Sequence, residues 1–242
     1  MKRLISVIYI FTIWICIPVY SSGTGTDKTA CAVEITGESP AVDGILDEHI
    51  WQKAPPISDF VQKDPREGAE TSHDVQIRFL YDEDALYIGA HMNAGSRDSI
   101  QALVSRRDHE GNSERIKFSF DTYRDFRTAY TLGVTASGVR VEYYHATDNE
   151  YDRDDSWDPV WEAETTIDST GWTAEMRIHF SQLRFNKKEE QVWGMNINWW
   201  IPVLREDTYW ALIPKNETGW SSKMGKLVGI EGITPSSRIE LL

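Results

Sequence analysis

The chain has 242 residues and a formal net charge of −13 at pH 7. A chain of this length forms one large domain or two small ones, and it can bury a full core without metals or disulfides. Because such an acidic surface repels phosphate backbones, we expect no nucleic-acid partner. Neutral sugars and cations remain possible partners.

The N-terminal 22 residues have the layout of a secretory signal peptide. Lys2 and Arg3 precede an apolar run at 4–19, and small residues at 21–23 suit cleavage. The alternative is an uncleaved anchor, because the run is about the minimum length for a membrane span. Residues 23–32 are rich in Gly, Thr and other small residues, which predicts a flexible linker. We therefore predict an exported chain with one folded module at 33–242.

Alternation of apolar and polar residues dominates the rest of the chain. This period of two predicts strands with one buried face, separated by turn signals such as Ser137-Gly138. About ten short strands predict an all-β fold, an antiparallel, jelly-roll-like β-sandwich. One or two short helices are expected, around 47–53 and 98–106. The alternating runs lie at 75–79, 116–120, 130–134, 139–143, 172–180 and 195–199.

No motif for catalysis is present. The chain has no glycine-rich phosphate loop, no GxSxG, no HExxH and no CxxC, and its six histidines lack metal-ligand spacing. Glycosidases need only two carboxylates, so a hydrolase stays open as an alternative. We predict that the chain is not an enzyme.

Two strands carry polar side chains on the face opposite their apolar one. If these strands are neighbours, they bring together a carboxylate, a guanidinium, amides and an indole. Such groups hydrogen-bond to vicinal hydroxyls and cover the apolar face of a pyranose. The alternative is a solvated face with a loop over the tryptophan. The predicted sugar-binding residues are Glu175, Arg177, Asn196, Asn198 and Trp200, with Trp157 and Trp220 as candidate exposed platforms.

Six acidic residues fall within the eleven residues 148–158, with only Arg153 to offset them. Calcium prefers several oxygen ligands on a flexible loop, although the EF-hand pattern is absent. The alternative is a solvated acidic loop. The predicted calcium ligands are Asp152, Asp154, Asp155 and Asp158.

The sequence resembles carbohydrate-binding module family nine over residues 33–234. The likeness rests on 41–48 (AVDGILDE) with Trp51, and on segments 75–87, 118–121, 156–163 and 171–178. It implies a β-sandwich with bound calcium. The xylanase-attached members of the family hold sugar chain ends between two tryptophans. One of those tryptophans lies in a loop that here reads His-Glu-Gly-Asn-Ser at 109–113. Lys117 stands where those members carry a sugar-contacting Glu.

Segments 180–185, 209–214 and 229–233 are similar to a subgroup of Gram-negative outer-membrane proteins. In that subgroup the module precedes a region thought to form a membrane β-barrel, and this chain ends where the barrel would begin. The resemblance implies the periplasm, outer membrane or cell surface of a Gram-negative bacterium.

Three functions therefore compete. The first is non-catalytic binding of an oligo- or polysaccharide, serving carbohydrate catabolism. The second is a cap or interaction domain of an outer-membrane barrel. The third is a module of a glycoside hydrolase, which a deep cleft with two carboxylates about 5–9.5 Å apart would favour. A shallow face bearing Trp200 favours the first.

Overall fold

The computed structural model describes residues 25–235. The secondary structure there is nearly all β, and each of the two expected helices is a short 3-10 segment, at His49–Lys53 and Arg97–Ser99. No helix in 25–235 combines the length and apolarity needed to cross a membrane. The signal-peptide prediction lies outside the described residues. The strands are β1 (Thr29–Glu34), β2 (Val61–Asp64), β3 (Val75–Tyr81), β4 (Ala85–Asn93), β5 (Arg115–Asp121), β6 (Ala129–Thr135), β7 (Arg140–His145), β8 (Trp161–Ile167), β9 (Gly171–His179), β10 (Glu190–Ile201), β11 (Glu206–Tyr209) and β12 (Gly225–Glu231).

The strands form two layers, which confirms the predicted sandwich. The first sheet has the order β7-β6-β5-β10-β12-β1, and β11 pairs β10 and β2. The second sheet has the order β1-β3-β4-β9-β8. Strand β1 belongs to both sheets, because its first half pairs β12 and its second half pairs β3. Both of these pairings are parallel, whereas the other strand pairings are antiparallel.

The linker predicted at 23–32 is wrong over residues 29–32, which belong to β1. Ala30 and Ala32 are buried there, and their small side chains fit at the junction where the two sheets meet. Short apolar side chains among Thr and Lys gave no alternation strong enough to predict a strand.

The core lies between the inner faces of the two sheets. Phe118 of the first sheet meets Phe79 of the second edge-to-face, with ring centroids 6.1 Å apart. Among residues 25–235, five tryptophans are fully buried, and aromatic side chains of this size dominate core energetics. They are Trp161, Trp172, Trp193, Trp199 and Trp210.

Strand β7 reverses the expected orientation. Its apolar residues Val141 and Tyr143 pair with Gly133 and Thr131, so they point away from the core. Glu142 points inward instead and is buried. Its carboxylate accepts a hydrogen bond from the Trp161 indole at 3.2 Å and pairs with the Arg107 guanidinium. Alternation alone therefore identified a strand here but not its buried face.

A segment at 41–54, which we call the strap, crosses the outer face of the second sheet. The strap packs there because β4 has Gly89 beneath it. A Cβ at Gly89 would lie 2.7 Å from Leu46 and 3.0 Å from the Trp51 ring. The strap therefore explains the AVDGILDE-Trp motif as a packing element.

Glu175 of β9 anchors the strap. Its carboxylate accepts hydrogen bonds from the backbone N–H groups of Asp43 (3.0 Å) and Gly44 (2.9 Å) and from the Trp51 indole (3.0 Å). The side chain is only 1% exposed. Burial raises the pKa of Glu175 to about 7, although the three donors oppose the rise.

We expect Glu175→Ala to lower the free energy of unfolding by about 3 kcal/mol, because it leaves buried N–H groups without an acceptor. The control is Glu162→Ala, which removes a half-exposed carboxylate from the same sheet face and should cost within about 0.5 kcal/mol. Urea denaturation measures both. Equal losses in the two variants would contradict the anchoring role.

The raised pKa of Glu175 also predicts a pH dependence. The folded state holds this proton at a higher pH than the unfolded state, whose pKa is about 4.3. The contribution of Glu175 protonation to the free energy of unfolding is therefore complete below a pH of about 4.3. It declines as the pH rises to about 7. Glu175→Gln removes the titrating group, so its stability should decline less over this window.

Candidate functional site

The residues predicted to bind sugar do not form one site. Strand β9 lies in the second sheet and β10 in the first, so the two polar faces look away from each other. The expectation that these strands are neighbours is wrong, since β9 pairs β4 and β8. Glu175 is committed to the strap. Arg177 pairs with Glu162 at 3.5 Å and lies over the Tyr87 ring on that same sheet.

The two tryptophans predicted to be exposed platforms pack against other aromatic side chains of the domain. Trp157 is half-buried, and its ring lies 4.8 Å from Tyr130 at the edge of the core. Trp220, expected to be exposed, is buried against Tyr209 and His145 on the outer face of the first sheet. Neither is an exposed platform beside Trp200.

The outer face of the first sheet holds a polar cluster around Trp200. Strand pairing places Arg115 opposite Trp200 and Lys117 opposite Asn198. Asp207 of β11 faces Trp200 from the other side. We call these five residues with Glu110 from the preceding loop the outer-face cluster.

Trp200 is the half-buried aromatic group of this cluster. The Arg115 guanidinium lies 5.6 Å from the centroid of its ring, which is a cation–π contact. Trp199, the next residue, points inward and is fully buried. The indole of Trp200 therefore has a supporting cation and remains partly open to solvent.

Glu110 is the anion on which the cluster's cations converge. Its carboxylate lies 2.6 Å from Arg115 Nε, 3.2 Å from Lys117 Nζ and 3.8 Å from Arg153. Burial alone raises the pKa of Glu110, but the charges of Lys117 and Arg115 outweigh it and hold the pKa below its usual value. Glu110 is therefore ionised at neutral pH.

Lys117 lies flat across the sheet. A Cβ at the neighbouring Gly133 would come within 2.5 Å of Lys117 Cγ, so the glycine leaves room for the stem. The Lys117 ammonium also lies 6.0 Å from the Tyr143 ring centroid. These contacts bury most of the side chain and keep its charge beside Glu110.

The two predicted asparagines differ in their role. Asn196 is fully buried; its amide donates to the Ala211 carbonyl and accepts from the Ala211 N–H, both at 2.9 Å. Asn198 donates to Asp207 Oδ1 at 2.6 Å and to the Thr208 carbonyl at 3.1 Å. Burial raises the pKa of Asp207, and the bond from Asn198 opposes that rise. Asn196 is thus structural, while Asn198 orients an acidic member of the cluster.

One known family fits this chain. Its model, described as carbohydrate family 9 binding domain-like, matches residues 42–200. The chain belongs to this family. The matched span runs from the strap to Trp200, so it includes both the anchor of the second sheet and most of the outer-face cluster. No curated protein matches the chain.

Solved structures share the family 9 fold at low identity. A carbohydrate binding module family 9 from Caldicellulosiruptor kristjanssonii in complex with cellotriose has a TM-score of 0.60 and 15% identity, with 89% of this chain and 100% of that chain covered. A complex with glucose from the same organism gives 0.54 and 14%, covering 86% and 98%. A putative carbohydrate-binding protein from Bacteroides uniformis gives 0.64 and 12%, covering 86% and 100%.

Prediction from the outward faces of two strands missed several members of the cluster. Glu110, Arg115 and Asp207 were not singled out, and Lys117 was noted only as a departure from family nine. The available signal was the alternation in 115–121, which turns Arg115 and Lys117 away from the core. The pairing of β5 with β10 was needed to place them beside Trp200.

The acidic residues at 148–158 have separate partners. Asp148 accepts from the backbone N–H groups of Trp220 and Ser222, and Glu150 accepts from the Tyr209 hydroxyl at 2.6 Å. These bonds tie the acidic loop to the outer face of the first sheet.

The predicted calcium ligands do not converge. Asp152 accepts from the Thr147 hydroxyl, Asp154 from Ser156, and Asp158 pairs with Arg107 at 2.8 Å. Across residues 25–235, no three His, Cys, Asp or Glu side chains come close enough together to hold a metal ion. The carboxylates therefore do not fit calcium as a group, because local donors hold their oxygens apart. Calcium binding by this family 9 chain stays a prediction.

We expect the double variant Asp152→Asn, Asp155→Asn to show the same calcium-dependent change in melting temperature as wild type. A ligand that binds only the native state raises its melting temperature by mass action. The shift in melting temperature between millimolar calcium and chelator should therefore be the same in wild type and variant. A calcium-dependent shift present in wild type and lost in the variant would restore the loop as a calcium site.

Proposed function

We propose that this family 9 domain binds an oligo- or polysaccharide, without catalysis, at the outer-face cluster. The observation that carries the proposal is the half-buried Trp200 indole, supported by Arg115 and bordered by charged and amide groups. An indole covers the apolar C–H face of a pyranose, and ionised groups form the stronger hydrogen bonds to its hydroxyls. Family membership makes a saccharide the first ligand to test.

The cluster offers both kinds of hydrogen-bonding group to a sugar. Lys117 and Arg115 are donors, since ammonium and guanidinium groups carry no acceptor. Glu110 and Asp207 supply carboxylate oxygens. A vicinal diol both donates and accepts, so it can replace parts of the Glu110 ion pairs while the strands stay in place.

The cluster has one aromatic wall. Loop 109–113 carries Glu110 and no tryptophan, so the ring of a bound sugar stacks on Trp200 from one side only. Because one-sided stacking excludes less water than a sandwich, we expect weak binding. The two family 9 structures from Caldicellulosiruptor kristjanssonii are complexes with cellotriose and with glucose. These sugars are therefore the natural first probes.

We also propose that the domain works outside the cytoplasm, in the periplasm, at the outer membrane or on the cell surface, and serves carbohydrate catabolism. The signal-peptide layout of residues 1–22 supports export. The similarity of segments 180–185, 209–214 and 229–233 to outer-membrane proteins supports a barrel domain as a neighbour in full-length relatives.

We expect Trp200→Ala to weaken cellotriose binding at least tenfold, which is about 1.4 kcal/mol, because it removes the stacking surface. The unfolding free energy should fall by about 1–2 kcal/mol, less than the 3–5 kcal/mol of a fully buried tryptophan. Calorimetric titration and a urea melt measure the two effects.

The matched control is Trp157→Ala. Trp157 is also half-buried, but it packs against Tyr130 at the edge of the core, so this variant should lose stability and keep binding. Equal weakening of cellotriose binding in both variants would mean a general loss of structure. Unchanged binding in Trp200→Ala would reject the outer-face cluster as the site.

We expect Glu110→Gln to shift the preference of the site toward acidic saccharides. The change keeps the shape and leaves Arg115, Lys117 and Arg153 without their shared counter-charge. Affinity for tri-galacturonate should then rise relative to cellotriose, and the gain should shrink at high salt because ions screen it. Glu162→Gln, on the other sheet, is the control and should change neither affinity. An unchanged ratio in Glu110→Gln would contradict this role for Glu110.

A further inference from the structure

A cleft of about 260 Å³ opens on the outer face of the first sheet, far from Trp200. Its floor includes Gly194 and Lys226, which face each other across β10 and β12. Gly194 precedes Trp200 by six residues in the same strand, which is about 20 Å at the rise of a strand. We call it the Phe126 cleft. Its lining includes Asp27, Arg124, Phe126, Gly194, Ser222 and Lys226.

The loop after β5 presents an aromatic ring at this cleft. Phe126 is 51% exposed, and the Arg124 guanidinium lies 5.6 Å from its ring centroid. The Arg124–Phe126 pair is a cation–π contact. This arrangement repeats the chemistry of Trp200 and Arg115 with different residues.

The loop that carries the ring has two residues in a strained backbone conformation. Arg124 and Phe126 have φ angles of 51° and 59°, in the left-handed region that residues with a side chain disfavour. The buried Asp121 carboxylate fixes the loop by accepting from the N–H groups of Phe126 (2.8 Å) and Asp125 (3.1 Å). Two strained residues persist because Asp121 holds them, and such strain concentrates at ligand sites.

The opposite wall is polar and carries Ser221 and Ser222. The adjacent Ser222 hydroxyl donates to Asp148 at 2.5 Å. Asp148 thus fixes the Ser222 side chain at the edge of the cleft.

Size and chemistry together select the occupant. The cleft is smaller than the roughly 300–1,000 Å³ of pockets for drug-sized ligands, which leaves room for one sugar ring. Its cations Arg124 and Lys226 share the lining with the Phe126 ring, and Asp27 and Ser222 add polar groups. An aromatic face ringed by such groups suits a polyhydroxylated ring better than an apolar or purely anionic ligand.

We infer that the Phe126 cleft is a second saccharide site, which takes a single sugar ring on Phe126 with Arg124 and Lys226 as hydrogen-bond donors. It extends the proposed function to a second position on the same sheet face. Its residues are separate from the outer-face cluster, so either site can exist without the other.

The experiment is a titration of the isotope-labelled protein, followed by NMR, with glucose, cellotriose and xylobiose as separate probes. The backbone amide signals of Phe126, Ser222 and Lys226 report on the cleft, and the indole signal of Trp200 reports on the outer-face cluster. We expect at least one probe to shift the cleft signals. In Phe126→Ala the cleft signals should stop responding, while Trp200 responds as in wild type.

Two further variants separate binding from folding. Ile45→Ala removes an apolar side chain of similar exposure (47%) from the strap over the second sheet, and it should leave all responses unchanged. Phe126→Gly loses the ring but adopts the left-handed conformation readily, so it should melt no lower than Phe126→Ala while lacking the cleft response. If Phe126→Gly also keeps the wild-type melting temperature and Trp200 response, its lost cleft response cannot come from unfolding.

The two sites fail in distinguishable ways. Cleft signals that stay still with all three probes overturn the second site, whatever Trp200 does. A Trp200 signal that stays still while the cleft signals shift rejects the outer-face cluster and leaves the Phe126 cleft as the sugar site. Cleft shifts that persist unchanged in Phe126→Ala also overturn the inference, because the ring is then not the platform.

Discussion

A single carboxylate, that of Glu114, joins the two sheets and fixes the site at the same time. Glu114 Oε1 accepts from the indole of Trp172 in the second sheet at 2.7 Å and from that of Trp199 in the first sheet at 3.0 Å. Because side chains alternate along a strand, the residues that follow these anchors must point outward. They are Arg115 and Trp200, the stacked pair of the outer-face cluster. Core and site are thus two sides of one strand pairing.

Buried carboxylates are a general device of this fold. Glu114, Glu142 and Glu175 each accept from a buried indole, and burial raises the pKa of each. A buried indole N–H left unpaired is costly, so a core with many tryptophans needs acceptors. The acidic composition therefore has two sources. Some carboxylates make the surface negative, and others are buried acceptors for indole N–H groups.

This dual use explains where reasoning from the sequence succeeded and where it failed. Alternation identified the inner faces of β3, β5, β6, β9 and β10, because burial of apolar side chains in a sandwich demands it. It could not tell which strands are neighbours, so Glu175 and Asn198 were placed on one face although their strands lie in different sheets. The sequence pattern of an outward polar residue is also the same whether water, a strap or a loop covers that residue. Glu175 and Asn196 lie on outward faces, and both are buried.

The β7 reversal shows the same limit in a different form. Alternation in β7 does not show which of its two faces is buried. The face with Val141 and Tyr143 is the more apolar of the two. Glu142 nevertheless faces the core, because the Trp161 indole and Arg107 satisfy its carboxylate. Tyr143 then lies outside, where Arg153 and Lys117 cover its ring at 4.4 and 6.0 Å. The cations that converge on Glu110 are thus held in part by this outward tyrosine. The buried Glu142 thus places Tyr143 against two cations of the site, and the loop residue Glu110 supplies their counter-charge. Since loops change more readily than strand pairings, the same sheet can keep Trp200 in place while a change at position 110 alters the charge of the outer-face cluster.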